Sequence, residues 1–429
     1  MIHVFKFGGA SVKDADGVKN LSKVVALNKD KQLLIVVSAM GKTTNALEQL
    51  VKDYFNRSEQ TQEVFEQIKS YHHQLLIDLF TDHNHPVFDQ VANTFVEIDW
   101  ILEDEPHPEY DFNYDQIVSV GELVSTRIVS AYLNQVDLPN QWLDARSYIH
   151  TDNTYREGVV DWVKTCNDIQ TDIPTILNEQ MVVTQGFIGG TSENFTTTLG
   201  REGSDYTAAI FASCLKAEAV TIWKDVPGVL NADPKFFANT HKYEELSYSE
   251  ALEMTYYGAS VIHPKTIKPL RNTNTPLLVK PFLHPQESGT IIKDIPNLKS
   301  IEPAIIVKMN QGLISLSTKD FSFITEDHLS TIFGSFAHTH IKINMMQVSA
   351  LSFSACFDWD ERRFKKLNLL LDEPFRIKYN IGLELLTIRH FKPDLVNRLS
   401  KDKEILMEQF SRNTVQMVIR NPEQQNPRE

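Results

Sequence analysis

The stretch that decides the fold reads VFKFGGASV, residues 4–12. Its apolar run carries a lysine, Lys6, and two glycines follow at once, Gly8 and Gly9. A strand that ends in glycines can simply enter a tight turn. It can also lay bare backbone amides against an anion, with Lys6 as a positive charge and Ser11 as a further hydrogen-bond donor. This stretch alone leaves both interpretations open.

A helix and a second strand follow the glycine turn. Residues 14–29 place Val18, Leu21 and Val25 at helical spacing, and QLLIVVSA at 32–39 is typical of a buried strand. The order strand, helix, strand predicts a parallel sheet. The glycine spacing matches neither the Walker A loop, in which a lysine follows the glycines, nor the dinucleotide fingerprint GxGxxG.

The pattern changes twice further along the chain. Amphipathic helical stretches fill residues 45–135 and predict a helical insertion. Strand and helix patterns alternate again over 141–280, and a turn at 284–289 ends a predicted domain of residues 1–290.

The C-terminal region predicts two small modules of strands and helices in tandem. They cover residues 300–362 and 363–423, can share the strand at 304–309, and are followed by a polar tail at 424–429. The predicted fold class is therefore α/β, with a largely parallel sheet sandwiched by helices, a helical insertion and two C-terminal α+β modules.

Composition excludes several classes of protein. The 429 residues are 42% hydrophobic and 23% charged, and the net charge of −14 disfavours nucleic acid and anionic membranes as partners. No apolar stretch is long enough to span a bilayer, and no signal peptide opens the chain, which predicts a cytoplasmic protein. The histidines of the helical insertion lack metal-ligand spacing, so no metal site of the protein's own is predicted. The cysteines are far apart and predict three reduced, mostly buried thiols: Cys166, Cys214 and Cys356.

A glycine-containing loop before a helix is the second candidate site. The segment TTTLGREGSDYTAA, residues 196–209, places Arg201, Gly203, Ser204 and Asp205 where a helix begins, with Ser204 or Asp205 as the predicted N-cap. Helix N-termini bind anions, and an arginine can grip a carboxylate with two hydrogen bonds. An aspartate is unexpected in a site that only binds anions, and it is better suited to orienting a lysine or a metal ion.

Three further stretches carry polar groups at strand ends or helix starts. Lys224 and Asp225 end a strand before a Pro-Gly turn, although for this feature taken alone a solvated loop is the favoured interpretation. Thr43 or Thr44 is predicted to cap the helix that follows VVSAMG. Glu122 follows a glycine within helical sequence, and spacing alone does not distinguish it from a surface carboxylate.

Taken together, these stretches resemble the aspartokinases. KFGGAS, VSAMGKTTN, SVGEL, VTQGFIG, TLGREGSDYTAA, IWKDVPGVLNADPK and GASVIHPKT occur in the family's order and rough spacing. The resemblance covers the whole chain and implies an amino-acid-kinase fold followed by two ACT modules, in the monofunctional form without a fused homoserine dehydrogenase. It implies transfer of the γ-phosphate of ATP to the β-carboxylate of L-aspartate with Mg²⁺, the first step of lysine, threonine and methionine biosynthesis. A homodimer or higher homo-oligomer, with an amino-acid effector at the ACT modules, is implied as well.

The resemblance also implies roles for individual residues. Lys6 matches the catalytic lysine and Asp205 the aspartate that organises it. The implied substrate contacts are Ser38, Thr44, Glu122, Phe187, Arg201, Gly203 and Ser204. The implied nucleotide contacts are Lys6, Gly8, Gly9, Ser11, Lys224, Asp225, Leu230, Lys235 and Ser260. Two alternatives are a kinase for another acidic amino acid, such as glutamate or acetylglutamate, and a catalytically weak amino-acid sensor built on the ACT modules.

Overall fold

The computed structural model describes residues 1–259, 262–296 and 302–421, which form two units. The first unit comprises Met1–Val229, Lys242–Leu252 and residues 262–296. The second comprises Leu230–His241, Glu253–Ala259 and residues 302–421. The predicted tail at 424–429 lies outside the described residues.

An eight-stranded sheet forms the centre of the first unit. The strands of this unit are β1 (Ile2–Phe7), β2 (Gln32–Val37), β3 (Asn140–Leu143), β4 (Met181–Gln185), β5 (Ile188–Gly190), β6 (Thr196–Thr198), β7 (Ala219–Lys224), β8 (Glu245–Ser247), β9 (Leu277–Pro281) and β10 (Thr290–Lys293). The order across the sheet is β3-β4-β2-β1-β7-β9-β10-β8, and β5 and β6 pair separately. All neighbours in the large sheet are parallel except β9 and β10. Because β1 lies between β2 and β7, the carboxyl ends of these three strands meet at one edge.

The helices between these strands include the predicted insertion, and the helix at 248–257 belongs partly to each unit. They are α1 (Ala15–Ala26), α2 (Thr43–Phe55), α3 (Thr61–Leu79), α4 (Val87–Glu103), α5 (Tyr110–Val118), α6 (Val120–Gln135), α7 (Trp162–Glu179), α8 (Gly203–Leu215), α9 (Tyr248–Tyr257) and α10 (Pro264–Thr273). The five consecutive helices α2 to α6 confirm the helical insertion. Buried side chains of α1 to α6 share one apolar core with Phe5, Phe7 and neighbouring strand residues. No helix in the described part of the chain is long and apolar enough to cross a membrane.

Two predicted helix caps are wrong. Helix α8 begins after Glu202, whose φ of 53° is left-handed, and neither Ser204 nor Asp205 caps it. Helix α2 begins at Thr43 itself, after Lys42, without a side-chain cap. Asp205 does not cap the helix because lysine ammonium groups engage its carboxylate instead.

The prediction of three reduced thiols is also wrong. Cys166 of α7 and Cys214 of α8 form a disulfide, while Cys356 is free and buried. The two bonded residues are 48 positions apart, so no local spacing could reveal the pair. Packing of α7 against α8 brings them together, and α8 also carries the Gly203–Asp205 stretch.

Replacing Cys166 with alanine should lower the free energy of unfolding of the oxidised protein by about 4 kcal/mol. The loss follows from the entropy of closing a loop of this separation in the unfolded chain. Urea unfolding of wild type and variant, with and without dithiothreitol, measures it. Reduced wild type should match the variant, and equal midpoints for oxidised and reduced wild type would contradict the prediction.

A six-stranded antiparallel sheet forms the second unit. Its elements are β11 (Ala304–Thr318), α11 (Glu326–His338), β12 (Ile343–Val348), β13 (Ser352–Asp358), α12 (Glu361–Leu371), β14 (Phe375–Arg389), α13 (Pro393–Ser400), β15 (Glu404–Phe410) and β16 (Thr414–Arg420), with the strand order β12-β13-β11-β14-β16-β15. The stretches AIIVKM and GLISLST both belong to the single strand β11. It pairs with β14 over its whole length, with register shifts between Lys308 and Leu313. This shared pair joins two α+β modules into one sheet, as the predicted fold class requires.

Candidate active site

A buried ion pair joins the end of β1 to the start of α8. Lys6 Nζ lies 2.7 Å from Asp205 Oδ1, and both residues are buried. Phe5 and Phe7 point into the apolar core, so strand alternation turns Lys6 to the opposite face of the sheet. Lys224, at the end of the adjacent strand β7, brings its Nζ to 3.4 Å from Asp205 Oδ2. One carboxylate therefore holds two ammonium groups at the carboxyl edge of the sheet.

The charges of this cluster keep Asp205 ionised. Burial works against ionisation, but the ammonium groups of Lys6 and Lys224 outweigh it and hold the pKa of Asp205 below its ordinary value. The cluster of two lysines and one aspartate therefore has a net positive charge, in a chain whose net charge is −14. Such a site attracts an anionic group to the end of β1.

The glycine turn packs against the loop that follows β2. A Cβ on Gly9 would lie 2.6 Å from the carbonyl oxygen of Ala39, which only glycine avoids. The N–H of Gly41 donates to the carbonyl of Gly9, and the N–H of Ser11 donates to the carbonyl of Gly8. A Cβ on Gly8 would come within 3.3 Å of Lys6 Nζ, so Gly8 leaves space beside the ammonium group. Close contact with neighbouring backbone accounts for glycine at position 9. The space needed beside the Lys6 ammonium group accounts for glycine at position 8.

Glu122 is buried, which excludes the surface-carboxylate alternative. Its side chain on α6 accepts a hydrogen bond from the N–H of Ala39 through Oε1 at 3.2 Å, and Oε2 has no partner among the described residues. Burial raises the pKa of Glu122 to about 8, although the Lys6 charge opposes this shift. An unpartnered carboxyl oxygen beside the lysine cluster is suited to a ligand that donates hydrogen bonds, such as an ammonium group.

The raised pKa of Glu122 predicts a pH dependence of stability. Because the folded protein holds this proton more tightly than the unfolded chain, its contribution is fully present below about pH 4.5 and is lost as pH rises through about 8. The loss is about 1.4 kcal/mol per pH unit in between. Glu122→Gln does not titrate and keeps an acceptor for Ala39. In urea unfolding between pH 5 and 8.5, wild type should therefore lose stability relative to the variant.

Glu59 provides the matched control for this experiment, since it is an exposed glutamate. Glu59→Gln should show the pH profile of wild type. A stability difference between wild type and Glu122→Gln that is constant across this range would contradict the assigned pKa.

The loop before α8 forms one wall of the site. A Cβ on Gly186 would lie 2.4 Å from Ser204 Cβ, so the 186–187 turn and the start of α8 touch. Phe187 adopts a left-handed φ of 72°, and its N–H donates to Thr207 Oγ1 at 2.9 Å. Asp115 supports the same wall by accepting hydrogen bonds from the N–H and hydroxyl of Thr198. Phe187, Gly203 and Ser204 are therefore held together beside Asp205.

The remaining predicted residues are distributed around this cluster or outside it. Ser38 and Thr44 are half-buried at the end of β2 and the start of α2, and the Ser38 carbonyl accepts a hydrogen bond from Ser125 Oγ. Arg201 and Asp225 are exposed. Leu230 and Lys235 belong to the second unit, and Ser260 lies outside the described residues.

Glu202 is a site residue that sequence reasoning did not assign. Burial raises its pKa, against the charges of Lys224 and Lys6, and its Oε2 has no hydrogen-bond partner among the described residues. Its backbone is left-handed, and its carboxylate is close enough to Lys224 and Lys6 to interact with their charges. Its only signal in the sequence is an acidic residue between Arg201 and Gly203, which does not reveal burial.

A largely parallel sheet with lysines gathered on one carboxylate at its carboxyl edge defines a phosphotransferase of the amino acid kinase class. The model of the amino acid kinase family matches residues 1–281. The chain is 30% identical over 358 residues to lysine-sensitive aspartokinase 3 of Escherichia coli, covering 83% of this chain and 78% of that protein. The chain belongs to the aspartokinase family, which confirms the resemblance found in its motifs.

Two solved structures show the same fold. The structure of E. coli aspartokinase III with aspartate and ADP, in its R-state, has a TM-score of 0.83 at 26% identity and covers 98% of this chain and 96% of that one. The same enzyme with lysine and aspartate, in its T-state, has a TM-score of 0.81 at 27% identity and covers 97% of this chain and 95% of that one.

Proposed function

We propose that this protein is an aspartate kinase, which transfers the γ-phosphoryl group of ATP to the β-carboxylate of L-aspartate and yields 4-phospho-L-aspartate and ADP. The single observation that carries the proposal is the Lys6–Asp205–Lys224 cluster at the carboxyl edge of the sheet. Family membership supports the same assignment.

The reaction needs charge neutralisation more than proton transfer. The attacking carboxylate of aspartate is already ionised at neutral pH, so no general base is required. The barrier comes from bringing this anion to a triphosphate, and positioned positive charge lowers it. In this proposal Lys6 neutralises the transferring phosphoryl group, Asp205 holds the Lys6 ammonium in place, and Lys224 meets the nucleotide phosphates.

Glu122 gives the site its selectivity for an amino acid. Its unpartnered oxygen pairs with the ammonium group of the substrate, and a dicarboxylate without an amine leaves it unsatisfied. Arg201 and Ser204 bind the substrate carboxylates in this proposal, while Ser38, Thr44, Phe187 and Gly203 shape the pocket. These roles follow the family's motifs.

The nucleotide contacts proposed from the family's motifs are Gly8, Gly9, Ser11, Lys224, Asp225, Leu230, Lys235 and Ser260. In this proposal Mg²⁺ enters the site with the nucleotide, because oxygen ligands such as those of phosphates are the ones it prefers. Asp225, exposed after β7, is a carboxylate that could complete its coordination. When bound, Mg²⁺ would offset the negative charge of the phosphates, and Asp225 is the residue proposed to help hold it.

We also propose that the C-terminal unit binds an amino-acid effector and that the protein forms a homodimer or larger homo-oligomer. The antiparallel sheet that joins two α+β modules supports an ACT-type regulatory unit. A solved aspartokinase of E. coli binds lysine in its T-state, which supports an amino acid as the class of effector.

A panel of acceptors tests the substrate assignment. Purified protein with ATP and Mg²⁺ is given L-aspartate, L-glutamate, N-acetyl-L-glutamate or succinate, and hydroxylamine traps any acyl phosphate. We expect hydroxamate with L-aspartate at a rate at least about 100-fold above the others, because only aspartate satisfies Glu122 and both carboxylate contacts at this length. A preference for glutamate or acetylglutamate would overturn the assigned substrate. Amino-acid binding without any turnover would indicate a sensor.

A further inference from the structure

A cavity lies in the first unit, apart from the Lys6–Asp205 cluster. Its volume is about 580 Å³, and it is bounded by residues 157–160, the start of α7, α8 and α10. None of the residues assigned above to aspartate or ATP lines it. This volume lies within the range of small-molecule sites, roughly 300–1,000 Å³.

Two lysines supply the positive side of the cavity. Lys265 and Lys268 are three residues apart on α10, so both face the cavity from the same side of the helix. In the described part of the chain neither of them forms an ion pair. The lining contains one carboxylate, Glu157, which leaves an excess of positive charge. This side of the cavity therefore favours an anion.

Apolar and aromatic groups supply another part of the lining. The Trp162 and Tyr206 rings meet edge to face, with centroids 6.4 Å apart. Val159 also lines the cavity and is 61% exposed, so a ligand there would cover it. A flat apolar group would remove this surface from water, at a gain of about 25 cal/mol per Å².

We propose that this cavity binds a small organic anion, in which a carboxylate or phosphate group meets Lys265 and Lys268 and a flat apolar body lies against Trp162, Tyr206 and Val159. The cavity is close to the loop before α8. Tyr206 directly follows Asp205, and Lys265 Nζ lies 3.4 Å from the position that a Cβ on Gly200 would occupy. The occupant is therefore in contact with residues that border the loop before α8.

Calorimetry on the full chain, with L-aspartate at saturation to fill the substrate site, tests the proposal. Benzoate and phenyl phosphate carry both halves of the proposed ligand, whereas acetate, inorganic phosphate and benzyl alcohol each lack one half. Benzoate and phenyl phosphate should bind at least about tenfold more tightly than these three. The tighter of the two identifies carboxylate or phosphate as the preferred head group.

Substitutions of lining residues test whether the probes bind in this cavity. Lys265→Gln, Lys268→Gln and Trp162→Ala should each weaken binding about tenfold. Lys164→Gln is the matched control, because Lys164 is exposed on α7 and does not line the cavity. Lys268 is exposed, so its replacement leaves folding intact.

Two results would overturn the proposal: equal affinity for the complete probes and their halves, or unchanged affinity in Lys268→Gln. Because heat of binding is measured and not turnover, such a failure is distinct from a failure of the proposed kinase activity.

Discussion

Replacing Lys6 with alanine is expected to lower kcat for aspartate phosphorylation about 10³-fold. The Lys6 ammonium is the charge at the end of β1 and is fixed by Asp205 at 2.7 Å. Removal of a preorganised charge partner affects the transition state more than the ground state, so KM for ATP should change much less than kcat. Steady-state kinetics with a coupled ADP assay provide both constants.

Loss of stability must be separated from loss of catalysis in this variant. Alanine at position 6 leaves Asp205 buried with Lys224 as its remaining ammonium partner, so the loss of stability should stay below the roughly 3–5 kcal/mol that a wholly unpaired buried charge costs. The double variant Lys6→Met with Asp205→Asn removes both charges and should regain stability while kcat stays low. Lys23→Ala, on the exposed face of α1, is the matched control and should keep wild-type kcat. Near-normal kcat in a folded Lys6→Ala protein would contradict the role of Lys6.

Replacing Glu122 with glutamine is expected to raise KM for L-aspartate at least about thirtyfold, the equivalent of roughly 2 kcal/mol. Glutamine preserves the shape and the acceptor for the Ala39 N–H but cannot offer a charge to the substrate ammonium. Discrimination against succinate should fall by a similar factor, because both ligands then meet the same neutral amide. Aspartate kinetics and succinate inhibition measure the two effects.

Proton release gives an independent test of the Glu122 assignment. With a pKa of about 8, Glu122 is mostly protonated at pH 7 in the absence of substrate. Pairing with an ammonium group ionises it, so aspartate binding should release close to one proton. Calorimetry in buffers of different ionisation enthalpy counts this proton, and Glu122→Gln should release none. A proton count that is the same in both proteins would contradict the proposed contact.

Local patterns were enough to predict the frame of the molecule. The run Val4–Val12 with the following helix and strand predicted β1, α1 and β2, because apolar periodicity and glycine placement act within a few residues. The helical character of 45–135 was visible for the same reason. Element ends were less certain: the cap predicted at Ser204 or Asp205 was wrong, since a lysine nearly 200 positions away competes for the Asp205 carboxylate.

Features that depend on packing between distant parts of the chain could not be predicted from the sequence. The Cys166–Cys214 bond exists because α7 and α8 lie side by side, and no spacing rule connects residues 48 apart. The burial of Glu122 has the same origin, because α6 packs it against the Ala39 backbone. Two elements of the second unit carry weak local patterns: β15 reads EILMEQF and lacks clean alternation, and α12 carries four basic residues in ERRFKKLNLLL.

The pairing of Lys6 with Asp205 was predicted from the resemblance to a known family and not from the chemistry of the two motifs themselves. Nothing in VFKFGGASV requires a partner in GREGSD, and only the fold brings Lys6 to Asp205. The structure explains that pairing once β1 is central in the sheet and α8 starts at its carboxyl edge. It also gives a packing reason for glycine at position 9, where a Cβ would lie 2.6 Å from the carbonyl oxygen of Ala39.

Phosphorus NMR of the wild-type protein with ATP, Mg²⁺ and L-aspartate tests the central claim most directly. The spectrum should show an acyl phosphate and ADP appearing together in equal amounts, and hydroxylamine should convert the acyl phosphate to aspartyl hydroxamate. Release of inorganic phosphate without hydroxamate, or no consumption of ATP when L-aspartate is added, would contradict the claim that the Lys6–Asp205 site phosphorylates aspartate.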